Sequence, residues 1–256
     1  MLVKSVLILS TVLLSSDAAF VDTLKKCGKN DGECHREMIQ NVLKEASKPG
    51  IQELNIPPFD PVVLKDVSIP ILNVVDLELA DGVVRGMRNC VVNSFVTAME
   101  KGKASMDITC DLVVKGKYKA FSNSPLVKSV LGADKLRGDG NAKLKIEQLN
   151  VKFDFHFFIE ERDGETYIKC KDKKLDYKYE VKGKVVFAAD HLYLDDKDAS
   201  EVIVNLLNQN WRLVVESAGQ QLMGRAMDRI KVFFTSFFGS VPTKYYIIDD
   251  LTPYVK

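Results

Sequence analysis

Asp198-Ala199-Ser200-Glu201-Val202-Ile203-Val204-Asn205-Leu206-Leu207-Asn208-Gln209-Asn210-Trp211 opens a stretch with no proline before Pro242. Apolar residues recur at Ile203, Leu206, Leu207, Trp211, Val214, Ala218, Leu222, Ile230, Phe233 and Phe237, the spacing of one helix face. Asp198-Ala199-Ser200-Glu201 has the pattern of a capping box, with Asp198 accepting an early backbone N–H and Glu201 reaching back. Gly239 is a plausible stop, and Gly219 and Gly224 are the weak points where a kink is expected. A continuous helix from Ser200 to Phe238 would run roughly 55–60 Å at about 1.5 Å per residue. A helix of that length needs a long surface to bury its apolar face.

Outward toward the N-terminus, residues 67–194 change period. Apolar and polar residues alternate at Val74 to Leu79, Val83 to Met87, Ser105 to Val114, Lys143 to Leu149, Val151 to Ile159, Thr166 to Lys171 and Leu175 to Val186. Turn signals separate them: Asp81-Gly82, Lys101-Gly102, Gly138-Asp139-Gly140, Asp163-Gly164 and Lys182-Gly183. Strands joined by turns, with no helix between them, predict an antiparallel meander. It is the only surface long enough for the C-terminal helix. The expected fold class is α+β, with a long α-helix wrapped by a highly curved antiparallel β-sheet. A first helix is expected over Cys34 to Ser47, from Met38, Ile39, Val42, Leu43 and Ala46, and Pro49-Gly50 stops it. Pro57, Pro58, Pro61 and Pro70 make Ile51 to Pro70 an extended, edge-like connection. No Pro/Gly/Ser-rich linker divides the chain, so residues 19–256 form a single domain.

A helix on the concave face of a sheet leaves space that side chains fill or that stays open as an internal apolar tunnel. Phe153, Phe155 and Phe157 alternate along one strand and point to one face with Val151 and Ile159. These rings are either ordinary core or the lining of such a tunnel, because cores and apolar ligand sites use the same residues. Tyr118, Trp211, Met223, Phe233 and Phe237 are the other candidates, each with the same two roles open to it. Asn208 and Asn210 are placed to fix the helix by hydrogen bonds to neighbouring backbone.

Before the domain, Lys4, the apolar run Val6 to Leu14, and Ser16 and Ala18 have the order of a secretory signal peptide cleaved after Ala18. The apolar run is short of the about 20 residues of a spanning helix. Secretion permits disulfides. Cys27 and Cys34 flank a Gly/Asn/Asp-rich turn and are expected to bridge, contributing roughly 2–3 kcal/mol. Cys90, Cys110 and Cys170 remain, so at least one thiol is free. The net charge of +1 gives no drive toward nucleic acid or anionic membrane. With three histidines, no CxxC or HxxxH pair and no GxSxG, neither a metal centre, a cofactor nor a hydrolase is expected. The group Asp190, Asp195, Asp196, Asp198 lacks the spacing of a calcium loop.

Several local patterns together resemble the takeout and juvenile-hormone-binding family of insects. They are the Cys27…Cys34 pair after a signal peptide; the proline-rich run Pro49-Gly50-Ile51 to Asp60-Pro61; Gly86-Met87-Arg88-Asn89; Gly116-Lys117-Tyr118-Lys119 followed by Gly138-Asp139-Gly140; and Leu206-Leu207-Asn208-Gln209-Asn210-Trp211. The resemblance spans nearly the whole chain after residue 18. It implies the wrapped-helix fold with an internal apolar cavity, and secretion, often into haemolymph. It also implies a monomeric carrier of juvenile-hormone-like terpenoids, fatty acids or other elongated lipids, possessing no enzymatic activity. Moth hormone carriers have a second disulfide in the later half. Only Cys170 lies beyond Cys110 here, which favours the takeout branch and puts juvenile hormone itself in doubt. The competing expectation is a secreted interaction or surface-active defence module with no bound lipid. Tissue, receptor and regulation by feeding or clock stay open.

Overall fold

The computed structural model describes residues 19–256; the expected signal peptide, 1–18, lies outside the described residues. In chain order the elements are α1 (Gly32–Ala46), β1 (Val62–Ile71), β2 (Val75–Arg85), β3 (Val91–Ala98), β4 (Lys103–Ser122), α2 (Pro125–Leu131), β5 (Leu136–Arg162), β6 (Glu165–Cys170), β7 (Asp176–Val181), β8 (Val185–Ala189), β9 (Leu192–Leu194), β10 (Lys197–Asp198), α3 (Ser200–Gln209) and α4 (Trp211–Ser240). Among the described residues no helix is long and apolar enough to cross a membrane.

Two strands organise the sheet. β5 has 27 residues and β4 has 20, far beyond the usual five or so. They pair antiparallel along almost their whole lengths. The other edge of β5 takes β9, β8, β7 and β6 in turn, while β4 carries β2 and β3, and β1 closes the series against β2. Pro70 sits in β1, the edge strand, where its missing N–H costs no ladder bond. The sheet is not closed. α4 packs against β1 and β6 and fills the gap between them.

The alternating segments 143–149 and 151–159, separate in sequence pattern, belong to the same strand. Their join is a bulge: Cys110 faces Leu149 and Leu112 faces Ile146, so Asp111 stands opposite Glu147 and Gln148. Gln148 adopts φ 54°, and its N–H donates to Asp111 Oδ1 at 2.7 Å. The extra residue switches parity. Ala142, Leu144 and Ile146 face inward before it; Leu149, Val151, Phe153, Phe155 and Phe157 face inward after it.

The C-terminal helix also departs from expectation. It breaks at Asn210 (φ −112°, ψ 26°) and not at either glycine. Asn210 Nδ2 donates to Leu206 O at 2.9 Å, as its own backbone N–H does at 3.0 Å, so the side chain competes for a helical carbonyl. The capping box is not made. Ala199 occupies the N-cap, Asp198 Oδ1 accepts from Ser200 N, and Ser200 Oγ accepts from Leu192 N. Asn208 grips β8 at two points, accepting from Phe187 N at 2.7 Å and donating to Phe187 O at 3.0 Å.

The half of the sheet beyond the bulge is filled with rings. Phe155 stacks on Phe234 and Phe238 with centroids 5.1 and 5.9 Å away, Phe153 lies 5.9 Å from Phe234, and Phe237 meets Phe238 edge-on at 5.3 Å. Such pairs add about 0.5–1.5 kcal/mol each beyond area burial. α1 covers β3 at this end. Cys27 bridges Cys34, and Cys90 bridges Cys110. Cys170 is the free thiol, and burial pushes it up to about 11.

Removing the Cys90–Cys110 bridge by a double alanine substitution should cost about 3 kcal/mol in urea unfolding, since it opens a loop of 20 residues of separation. His35 offers a second measurement. It is buried, edge-on to Phe95, and its Nδ1 has no partner among the described residues. Burial holds this imidazole below its ordinary value, with Asp31 opposing weakly. The unfolded chain takes up the proton near pH about 6.5. Stability is therefore full above that pH and is lost as pH falls toward the lowered folded value. The urea midpoint should drop between pH 7.5 and 5.5, and His35→Leu should flatten that part of the profile.

Candidate functional site

Before the bulge the inward residues are small or aliphatic. Ala142, Leu144 and Ile146 stand where Phe153, Phe155 and Phe157 stand beyond it. α4 shows the same gradient: Val214, Ala218, Gly219 and Leu222 near its start, Phe234, Phe237 and Phe238 near its end. Smaller side chains on facing elements leave space. A cavity of about 540 Å³ occupies that half, walled by β1, β2, β4, β5, β7, β8, β9, α2, α3 and the first half of α4. Its volume is in the range of small-ligand sites.

The lining is almost wholly aliphatic; among the described residues Tyr118, Tyr179 and Lys143 are its only polar side chains. Lys143 is exposed and also borders the outer surface. Tyr118 is buried, and its hydroxyl donates to Asp190 O at 2.7 Å. Burial, with the Asp190 carboxylate next in weight, pushes it up to about 12, so it stays a neutral phenol committed to its own backbone. Tyr179, on β7, is different. It is half-buried at the inner end of the cavity, where Leu149, Gly219 and Met223 also line the wall. Its hydroxyl lies on the helix backbone at Gly219, where a Cβ would come within 2.5 Å of it. Burial raises it, and it makes no hydrogen bond among the described residues, which leaves a donor free at the end of an apolar space.

Of the candidates from sequence, Tyr118 and Met223 border the cavity. Phe153, Phe155, Phe157 and Phe237 are buried together in the filled half, and Phe233 packs at its margin, 5.2 Å from Phe59. Trp211 is half-buried at the start of α4, with the Arg212 guanidinium 4.4 Å from its ring centre. None of these six rings lines the cavity: five belong to the filled half or its margin, and Trp211 stands outside the cavity wall. The expected tunnel is thus confined to one half of the molecule. Tyr179 and the aliphatic walls of β1 and β2 were missed; the fall in side-chain size on the early side of Glu147-Gln148 was the available signal.

A wider groove of about 640 Å³ lies on the outer face, bordered by Asp81, Arg85, Lys115, Lys117, Lys143 and Asp190. It is open to solvent, mixed in charge and shares Gly116, Ala142, Ala188 and Ala189 with the cavity wall. The enclosed apolar space is the better candidate.

Among the described residues no cluster of His, Cys, Asp and Glu has the arrangement of a metal site. The aspartates near α3 serve the backbone instead: Asp190 accepts from Asn141 N, Asp195 from Asp134 N and Lys135 N, and Asp198 from Ser200 N. His156 and His191 face Asp176 and Asp190. No histidine is hydrogen-bonded to a serine, threonine or cysteine side chain among the described residues.

Comparison with known proteins agrees with this architecture. The family model for haemolymph juvenile hormone binding protein matches residues 5–248. The crystal structure of Takeout 1 from Epiphyas postvittana superposes with a TM-score of 0.77 at 22% identity, covering 88% of this chain and all of that one. Lipopolysaccharide binding protein overlaps more loosely, with a TM-score of 0.41 at 13% identity over 82% of this chain and 39% of that one, and supports no further statement. No curated protein sequence matches. A ten-stranded open antiparallel sheet holding a long C-terminal helix is thus the takeout fold, and the chain belongs to the haemolymph juvenile hormone binding protein family.

Proposed function

We propose that the protein is a secreted, monomeric carrier of a small elongated hydrophobic ligand: a juvenile-hormone-like terpenoid, a fatty acid or another lipid. The observation that carries this reading is the enclosed cavity of about 540 Å³ with its aliphatic lining. Family membership supports it. The N-terminal pattern and two disulfides support secretion.

Binding is desolvation. The ligand exchanges water for aliphatic walls, at about 25 cal/mol per Å² of apolar area removed from solvent. Tyr179 supplies direction. Its hydroxyl, without a hydrogen-bond partner among the described residues, can donate to a carbonyl, epoxide or carboxyl oxygen, so an acceptor-bearing end is held inward and the tail lies toward α2. In this reading the ligand is carried and released chemically unchanged, which membership of a family of binding proteins supports. The cavity itself speaks against a lipid-free interaction module.

Mass spectrometry of lipid extracted from the purified protein should find an elongated amphiphile near one per chain; an empty protein that binds nothing from a terpenoid and fatty-acid panel would sink the reading. Tyr179→Phe should weaken an acceptor-bearing ligand about fivefold, the worth of one neutral hydrogen bond near about 1 kcal/mol, and leave a hydrocarbon of equal length unaffected. Equal loss for both ligands would remove Tyr179 from this role.

A further inference from the structure

We infer that the mouth of the cavity docks on a neutral lipid surface, from which ligand enters and to which it leaves; this rests on the carrier reading. Four cavity-lining side chains are also exposed at the surface: Leu72 (48%), Leu126 (55%), Val130 (66%) and Leu206 (36%). They come from three separate places, the β1–β2 turn, α2 and α3, and each both lines the same cavity and reaches solvent. Apolar surface therefore runs from solvent into the interior with no polar step.

Two local features put them there. Leu72 and Asn73 both have φ 53° at the tip of the β1–β2 hairpin. Consecutive left-handed residues make the tight hairpin turn that Asn-Gly usually serves, and a leucine pays steric strain in it. The Leu72 N–H donates to Ser217 Oγ at 3.3 Å, which pins the tip beside α4. α2 is a single short helix, capped by Ser124 and ended by Gly132 in the left-handed region. It buries Val127 and turns Leu126 and Val130, four residues apart on one face, to solvent.

The chemistry around the opening selects the occupant. Lys128 pairs with Asp134 at 2.7 Å, and Asp195 takes the N–H groups of Asp134 and Lys135. Beside the rim one lysine is paired with an aspartate and a further carboxylate, Asp195, stands next to them on backbone N–H groups, so no cationic patch calls for an anionic surface. Four aliphatic side chains fall far short of the about 800 Å² per partner of a standard protein interface, and no aromatic or arginine anchor stands among them. A small aliphatic rim on short projecting elements suits shallow insertion at the headgroup boundary, about 5–10 Å deep. Docked there, an apolar ligand passes between bilayer and cavity without crossing water.

Flotation with phosphatidylcholine vesicles tests this. The protein should float with them, and binding should change less than about twofold between about 0.1 and 0.5 M NaCl. Leu126→Glu with Val130→Glu should lower vesicle binding at least about tenfold. Leu72→Asn should lower it several-fold while the thermal midpoint holds or rises, since asparagine suits the turn, which separates docking from folding. Val96→Glu, at a residue equally exposed on β3 and outside the cavity lining, should leave binding unchanged. Absence of flotation, a tenfold loss with salt, an equal loss with Val96→Glu, or a concentration-dependent dimer abolished by the α2 substitutions without vesicles would each overturn docking. Wild-type protein that carries extractable lipid yet does not float overturns docking and leaves the carrier reading intact. Protein that floats but binds no lipid supports docking and overturns the carrier reading.

Discussion

The bond from Gln148 N–H to Asp111 Oδ1 holds one extra residue in β5, and the rest of the molecule depends on that residue. Side chains alternate faces with a period of two, so a strand of 27 residues commits its whole inward face to one parity unless something resets it. The residues before the bulge turn inward at even numbers and those after it at odd numbers. Without the reset, either the Phe153-Phe155-Phe157 half or the Ala142-Leu144-Ile146 half would face water. With it, one strand carries two interiors of different volume.

The close-packed half and the open cavity are thereby separated along the same elements. Both disulfides, α1 and the stacked phenylalanines belong to the large cluster at the filled end. The cavity end is held by two smaller clusters, one around Tyr118, Val127, Leu136 and Ile203 and one around Val67, Ile69 and Ala218. Cohesion of the filled end offsets the cost of leaving the other end open, since an unfilled apolar space forfeits dispersion contacts on every wall. Elements at the less cohesive end, α2 and the Leu72 turn among them, are the ones whose local opening is least costly.

Much of this was legible in the residues. The 3.6-residue period of the last third, the alternation of 67–194 and the Cys27–Cys34 turn each report a local property, and each appears as an element or a bridge. Three features depart from the sequence pattern. Asn210 broke the helix through a side-chain bond that two nearby glycines made easy to overlook. The two alternating runs on either side of Gln148 looked like two strands, because a parity switch and a turn leave the same mark in sequence. The phenylalanines were candidates for a ligand wall because apolar residues are common to walls and cores.

The sequence by itself determined the α+β class, the long helix against a sheet, the first disulfide and the apolar faces, since periodicity and turn chemistry are set by neighbours in the chain. The tertiary structure decided the Cys90–Cys110 pairing, the position of the empty space, the placing of the Tyr179 hydroxyl in its wall and the bringing of Leu72, Leu126, Val130 and Leu206 into the lining of one cavity. Each of these depends on distances and summed volumes across elements far apart in sequence. Whether a phenylalanine fills space or borders it depends on what stands opposite, and that is set only when β5 and α4 come together.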